Sequence, residues 1–314
     1  MKFITMDKKM RLHIILLFIL LIFTAGCGAT VENSDDATGE NLFEKFLANE
    51  EPVIFDLDNF SDYVPYVFDY DKENKREYLL SEIIHRVKSE DEYGSSVEIK
   101  YAYIFPQEKE AEQLLVSIIT GVNTAVSYNH KFVIGNVDGK LWLLYECVDH
   151  FREEVYINKF GYIHECTYPG YCPPSNVYKI ITEDGCKLIY GETYDCGSLL
   201  TPLKMNQDGE KKEVNLESFN EEDGCVWEYW FEDGELCSYS FVNENGEPDY
   251  IGHEEKLYGK NSPYRKAFED AGIKFYEMSE IKDMISKREE ELGITDNIKD
   301  AGEPEWIEIK DISG

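Results

Sequence analysis

In the stretch REYLLSEIIHRVKSED the apolar residues Leu79, Leu80, Ile83, Ile84 and Val87 recur at three- and four-residue steps, which puts them on one face of a helix. This pattern predicts an N-terminal helix near residues 76 to 89. Before it, FEKFLANEE suggests a short helix, and Pro52 and Pro65 then interrupt any regular period. From Val97 the pattern changes. VEIKYAYIF and EQLLVSIIT are rich in β-branched and aromatic residues and are joined by the polar PQEKEAE, as expected of a hairpin.

A glycine then recurs between strand-like segments, at Gly139, Gly161, Gly185, Gly209 and Gly234, with steps of 22, 24, 24 and 25 residues. Two strands and their connections occupy about that length. An antiparallel meander explains the spacing without an ancestral repeat. A true repeat such as a propeller is the weaker explanation, because the strand texts are dissimilar and the Gly209 unit is mostly polar. Within the Gly234 hairpin, a three-residue loop Glu232-Asp233-Gly234 would set Tyr229 opposite Cys237 and Trp227 opposite Tyr239. One face would then be aromatic and the other largely polar, so this register is the expected one.

The last segment returns to a helical period. Ser262 followed by Pro263 has the order of an N-cap and a first helical residue, and Gly272 closes that helix. Ile273 to Tyr276 reads as a short strand. A second helix starts at Ser279, carries Ile281, Met284, Ile285 and Leu292 on roughly one stripe, and stops at Gly293. The expected fold is therefore α+β, an antiparallel β meander with an N-terminal helix and two C-terminal helices.

The first 26 residues follow a different logic. Lys8, Lys9 and Arg11 precede an apolar run from Ile14 to Phe23, and Thr24-Ala25-Gly26-Cys27 follows it. A basic patch, a short apolar core and small residues are the order of an export signal, and the run is shorter than the ~18 residues a membrane span needs. Small residues followed at once by cysteine resemble the lipobox of bacterial lipoproteins, with Thr24 where leucine is more usual. The resemblance implies a signal peptide over 1–26, removal of that segment, and a lipid anchor of the palmitate type on Cys27. An ordinary signal peptide with an incidental cysteine, or an uncleaved anchor, are the alternatives. Residues 28 to 41, GATVENSDDATGEN, contain no aromatic residue and are small, polar and acidic, so 27–41 reads as a lipid-anchored flexible tether. A single extracytoplasmic domain is expected over 42–310.

Charge narrows the partners. The chain carries a formal net charge of −32. Loss of residues 1–26 removes a net +3 and makes the mature protein more acidic still. Such a surface repels phosphate backbones, which argues against nucleic acid. With 43% hydrophobic and 14% aromatic residues, the part beyond the tether is long enough to bury a sizeable core.

Chemistry-bearing motifs are sparse. There is no G-x-S-x-G elbow, no H-E-x-x-H, no P-loop and no G-x-G-x-x-G. With 63 acidic residues, paired carboxylates arise by chance and carry no information. The histidines at 85, 130, 150, 164 and 253 are scattered, as surface or satisfied core residues would be. Cys166-TYPGY-Cys172 is the best local disulfide candidate, since a Pro169-Gly170 turn could bring its flanks together; buried free thiols are the alternative. His164, Cys166 and Cys172 lack the tight cysteine pairs of structural zinc sites. The stretch starting at Asp69 places Asn74 at the glycine position and Leu80 at the glutamate position of an EF-hand loop, so an acidic solvated loop is expected. No metal or cofactor is expected.

The run YRKAFEDAGIKFYEMSEIKDMISKREEELGITDNIKDAGEPEW, together with the lipobox and the VEIKYAYI and VDGKLWLLYE strands, resembles a group of uncharacterised lipoproteins of anaerobic Gram-positive, clostridial-type bacteria. The likeness covers most of 42 to 307. In that group a D-x-x-x-D-G-like turn follows the YAYI strand, where this chain has FPQEKEAEQ. No activity is attached to the group, so the resemblance implies an address, the outer face of the cytoplasmic membrane, and no catalytic residue. The expected function is a non-catalytic binding or interaction module, held at the bilayer through acylated Cys27, with a surface glycan or a protein as ligand. The rival is an extracytoplasmic hydrolase acting on cell-wall or dietary glycans.

Overall fold

The structure is a computed structural model that describes residues 41–55, 76–90, 96–122, 127–150, 153–167, 175–183, 185–195, 203–207, 210–214, 224–243 and 247–310. Leu42–Gly314 forms one compact unit, and the fold below is that of this unit. Cys27, the lipobox and the tether lie outside the described residues.

Helix α1 (Leu42–Leu47) leads into β1 (Val53–Ile54), and β2 (Glu77–Tyr78) leads into α2 (Leu80–Glu90). Eight strands of hairpin and meander follow, β3 (Val97–Ile104), β4 (Gln113–Thr120), β5 (Tyr128–Val137), β6 (Lys140–Asp149), β7 (Glu153–Ile157), β8 (Tyr162–Thr167), β9 (Ser175–Thr182) and β10 (Gly185–Asp195). After β11 (Leu203–Gln207) and β12 (Glu210–Val214) come β13 (Cys225–Phe231), β14 (Gly234–Val242) and β15 (Pro248–Asp249). The chain ends in α3 (Glu254–Tyr258), α4 (Pro263–Asp270), α5 (Met278–Glu291), α6 (Asp296–Lys299) and β16 (Ile307–Glu308).

The protein is α+β, with the strands in two seven-stranded sheets and a small β11–β12 pair. The first sheet has the order β16-β3-β4-β5-β6-β1-β2 and the second β15-β14-β13-β10-β9-β8-β7. Pairing is antiparallel between neighbours except for β1 beside β6. The meander expected from the glycine spacing is present. Asp138 and Gly139 both have positive φ in the β5–β6 turn, the conformation a tight two-residue hairpin needs.

The sheets face each other across a core of Ile104, Leu115, Val133, Leu144 and Cys147 from the first and Val155, Ile157, Ile163, Ile181 and Cys186 from the second. A bulge lets β6 feed this core: Tyr145 pairs with Val133 and Leu143 with Ile134, so Leu144 is the extra residue between them. The bulged Leu144 leans over Gly135, the partner of Trp142, and a Cβ on Gly135 would sit 2.5 Å from Leu144 Cδ1. The outer face of the first sheet is covered by Phe43 and Phe46 of α1 and by Leu80, Ile83, Ile84 and Val87 of α2. Helices α3 to α5 pack on the β13–β14 end of the second sheet, where Tyr239 stacks on Tyr264 at 4.3 Å.

Two expectations about local geometry are corrected. The Gly234 hairpin closes with a two-residue turn: Phe231 pairs with Gly234, Val226 with Tyr239 and Trp227 with Ser238. Residues of both faces, among them Val226, Trp227, Cys237, Ser238 and Tyr239, are buried. Alternation of apolar and polar residues sets a register only where one face meets water, and here it could not. Helix α5 starts one residue earlier than expected, at Met278, because Glu277 and Glu280 form a capping box. Ser262 does cap α4, accepting from Arg265 N. Residues 273–276 form only an isolated bridge, Phe275 beside Cys237.

The end of the chain fastens the two sheets together. Asn158, fully buried in the β7–β8 turn, donates to Ile298 O at 2.6 Å and accepts from Phe160 N and Tyr162 N. Tyr156 donates to Ala301 O at 3.0 Å, and Lys159 N donates to Gly302 O. The chain then crosses to the first sheet, where Ile307 pairs with Tyr101 and Glu308 with Lys100. Residues 303 to 306 are thereby laid across the open end of the sandwich.

Candidate functional site

At that end the inner face of the first sheet changes from apolar to polar. Cross-strand pairing aligns Lys100 of β3, Ser117 of β4 and Lys131 of β5 in one row. Ser117 donates to Asn129 Oδ1 at 2.7 Å, and Asn129 Nδ2 donates to Asp149 Oδ2 at 3.3 Å. Lys131 Nζ meets Asp149 Oδ2 at 2.6 Å and also donates to Val155 O, while Val155 N donates to Asp149 Oδ1 at 2.7 Å. Lys131 is only 8% exposed and Ser117 1%. A buried lysine of this kind requires a paired carboxylate, and Asp149, with both oxygens already engaged, supplies it.

These groups form the floor of a cleft of ≈ 400 Å³. Val155 and Ile157 of β7 and Glu303 and Trp306 of the C-terminal chain line it, while the Glu154 side chain belongs to the other face of the second sheet. A larger hollow of ≈ 620 Å³ lies between α2 and the β3–β16 edge. Its floor is apolar, from Ile84, Val97 and Ile99, and its charged groups His85, Lys88, Glu308 and Lys310 stand exposed at the rim. Of these two hollows, the cleft is the one lined by a hydrogen-bonded network of buried and half-buried polar groups.

The outer face of the second sheet carries an aromatic ladder. His164 and Tyr178 stack at 4.7 Å and 4°, and Tyr178 and Tyr190 stack at 4.6 Å. Tyr178, stacked between His164 and Tyr190, has no face left to lie flat on a sugar. Trp227 and Tyr229 are buried. Beside the ladder, burial holds the Glu192 carboxyl above the usual range, although hydrogen bonds from Asn176 and Tyr229 oppose the shift. Glu154, Cys166, Asn176 and Glu192 pair successively across four strands. Three steps of about 4.8 Å separate Glu154 from Glu192 by about 14 Å at the backbone, beyond the ~5–9.5 Å of glycosidase carboxyl pairs.

The thiols offer no nucleophile among the described residues. Cys147, Cys166, Cys186 and Cys237 are free, and Cys225 is disulfide-bonded. The expected Cys166–Cys172 bridge is therefore not formed. Cys166 sits in β8 with Asn176 as its cross-strand partner, and Cys172 lies outside the described residues. Burial pushes the Cys186 thiol up to about 12 and raises those of Cys147, Cys166 and Cys237 as well, against formation of a thiolate.

His164 belongs to the ladder and pairs with Asn176 Oδ1 at 3.1 Å. His150 meets Glu153 at 3.3 Å. Among the described residues no group of three or more His, Cys, Asp or Glu is arranged to hold a metal ion, and no helix is long and apolar enough to cross a membrane. The acidic stretches at 56–58 and 69–71 lie outside the described residues.

Sequence reasoning did not identify the cleft. Its residues come from β3 to β7 and the C-terminal chain, and the one local signal is a polar residue inside an apolar strand, Ser117 within QLLVSIIT. No protein-family model matches the chain, no curated protein matches its sequence and no solved structure matches its fold.

Proposed function

We propose that this protein is a non-catalytic binding module, carried on the outer face of a bacterial cytoplasmic membrane by lipid on Cys27, that takes a small polar ligand into the cleft between its sheets. The observation that carries this reading is the Ser117–Asn129–Asp149–Lys131 network, with Ser117 and Lys131 buried, Asn129 and Asp149 half-buried, and all four already bonded on the floor of an open cleft. A preformed concave site with a few fixed polar groups and an aromatic wall is the usual form of a small-ligand site. The carboxyl groups support binding rather than hydrolysis. Both oxygens of Asp149 are engaged by donors, and Glu192, the carboxyl raised by burial, belongs to the ladder on the other face of the second sheet.

Ligand-observed magnetic resonance with a library of amino acids, peptides, carboxylates, monosaccharides and disaccharides tests the reading. Hits should stay chemically intact over hours and should lose their signal with Trp306→Ala. A hit that is consumed with time would make the protein an enzyme. The address is tested separately: the mature protein should enter the detergent phase on Triton X-114 partition with an acylated Cys27, and wholly aqueous protein with an unmodified Cys27 would remove the anchor.

A further inference from the structure

We infer that the ligand of the cleft is a neutral sugar, bound through its hydroxyl groups to the polar floor and through its C–H face to Trp306. This rests on the cleft being the binding site. Charge decides the class first. Each lysine of the floor already carries its own carboxylate: Lys131 meets Asp149 at 2.6 Å, and Lys100 meets Glu98 at 2.9 Å. The floor is therefore close to neutral, and Glu303 stands exposed to solvent above it. An added anion would be repelled by Asp149, Glu98 and Glu303, in a chain whose formal net charge is already −32. An added cation would meet two ammonium groups. A neutral ligand meets neither opposition.

Hydrogen-bonding capacity narrows the class further. Lys131 Nζ gives two of its three donors to Asp149 and Val155 O and keeps one. Asn129 Nδ2 gives one donor to Asp149 Oδ2 and keeps the other. Ser117 donates to Asn129 Oδ1, so its oxygen still accepts. Lys100, half-buried beside Ser117 in the same cross-strand row, adds further donors. Donors and an acceptor thus stand on neighbouring strands, about 4.8 Å apart. A carboxylate only accepts and an ammonium only donates, whereas each hydroxyl of a sugar does both. Adjacent hydroxyls on one ring match such a mixed floor.

Trp306 supplies the other half of the site. Its side chain is half-buried against the core between the sheets and lines the cleft. One face of a pyranose is a patch of C–H groups, which gains by burial and dispersion against an aromatic ring. A volume of ≈ 400 Å³ holds about thirteen waters at ~30 Å³ each, enough for a sugar ring with room for part of a second.

Calorimetric titration of the full chain, in a detergent without a sugar headgroup, tests the inference with glucose, galactose, mannose, cellobiose, lactose and maltose. At least one should bind, and its affinity should change less than about twofold between ~0.05 and ~0.5 M salt, since no ion pair is formed. The corresponding uronic acid and amino sugar should each bind at least tenfold more weakly. Trp306→Ala should weaken the sugar at least tenfold, and Trp306→Phe, which keeps an aromatic face, should recover most of that loss. The ligand class is overturned if none of the six sugars binds, if the charged forms bind as well as the neutral one, or if dialanine binds more tightly. Sugar binding that survives both Lys100→Met and Trp306→Ala would instead overturn the cleft as the site.

Discussion

Lys131 meets Asp149 at 2.6 Å in the floor of the cleft, and the same carboxylate accepts from Val155 N, so one ion pair joins β5 and β6 of the first sheet to β7 of the second. Breaking it from one side leaves a largely buried charge without its partner, which costs about 3 kcal/mol. Lys131→Met should therefore lower the urea midpoint strongly, and Lys131→Met combined with Asp149→Asn should recover part of the loss. A single substitution within ~0.5 kcal/mol of the parent, the usual range of a surface change, would mean that the pair does not hold the sheets together.

Trp230 lies over Gly191, its direct partner across β10 and β13, and a Cβ on Gly191 would stand 2.0 Å from the indole Cε2. Gly191→Ala must displace the ring and should cost about 1–3 kcal/mol by overpacking. In a Trp230→Ala background the same change should cost much less, since the obstructing ring is gone. Equal costs in the two backgrounds, measured by chemical denaturation, would place the strain elsewhere.

Burial raises the Glu192 carboxyl, so the folded chain holds that proton more tightly than the unfolded chain does. The stability tied to the neutral carboxyl is complete below the unfolded value of about 4.3 and is lost as pH rises through the higher folded value. Tyr229 and Asn176 bond the carboxyl, and Tyr178 and Tyr190 lie close enough to feel its charge. Glu192→Gln keeps an acceptor there and removes the titration. Relative to this variant, the parent should lose stability as pH rises above the unfolded value of about 4.3 and through the raised folded value. Parallel stability curves for the two proteins over that range would contradict the assignment.

Local signals in the sequence were reliable where the chain itself supplies both partners. Ser262 and Pro263 start a helix because cap and first turn are adjacent, and the Gly139 hairpin needs only its own left-handed turn. The Gly234 register was not legible, because helices placed by later sequence bury the second face of β13 and β14. The same reason hid the cleft. Lys100, Ser117 and Lys131 become neighbours only through the pairing of three strands, and Trp306 reaches them only because Asn158 and Tyr156 hold the preceding turn. The single thiol of Cys166 illustrates the limit of spacing arguments: a short gap to Cys172 suggested a bridge, but strand pairing commits Cys166 to β8.

Whether ligand binds in the mouth of the sandwich is tested most directly by protein-observed chemical-shift mapping on the isotope-labelled chain, titrated with whichever small polar compound binds. The largest shifts should fall together on the backbone amides of Lys100, Ser117, Asn129 and Lys131 and on the Trp306 indole, with little change at Ile84, Val97 or Tyr178. Shifts centred on the hollow beside α2 or on the aromatic ladder, with the cleft residues unmoved, would contradict the account.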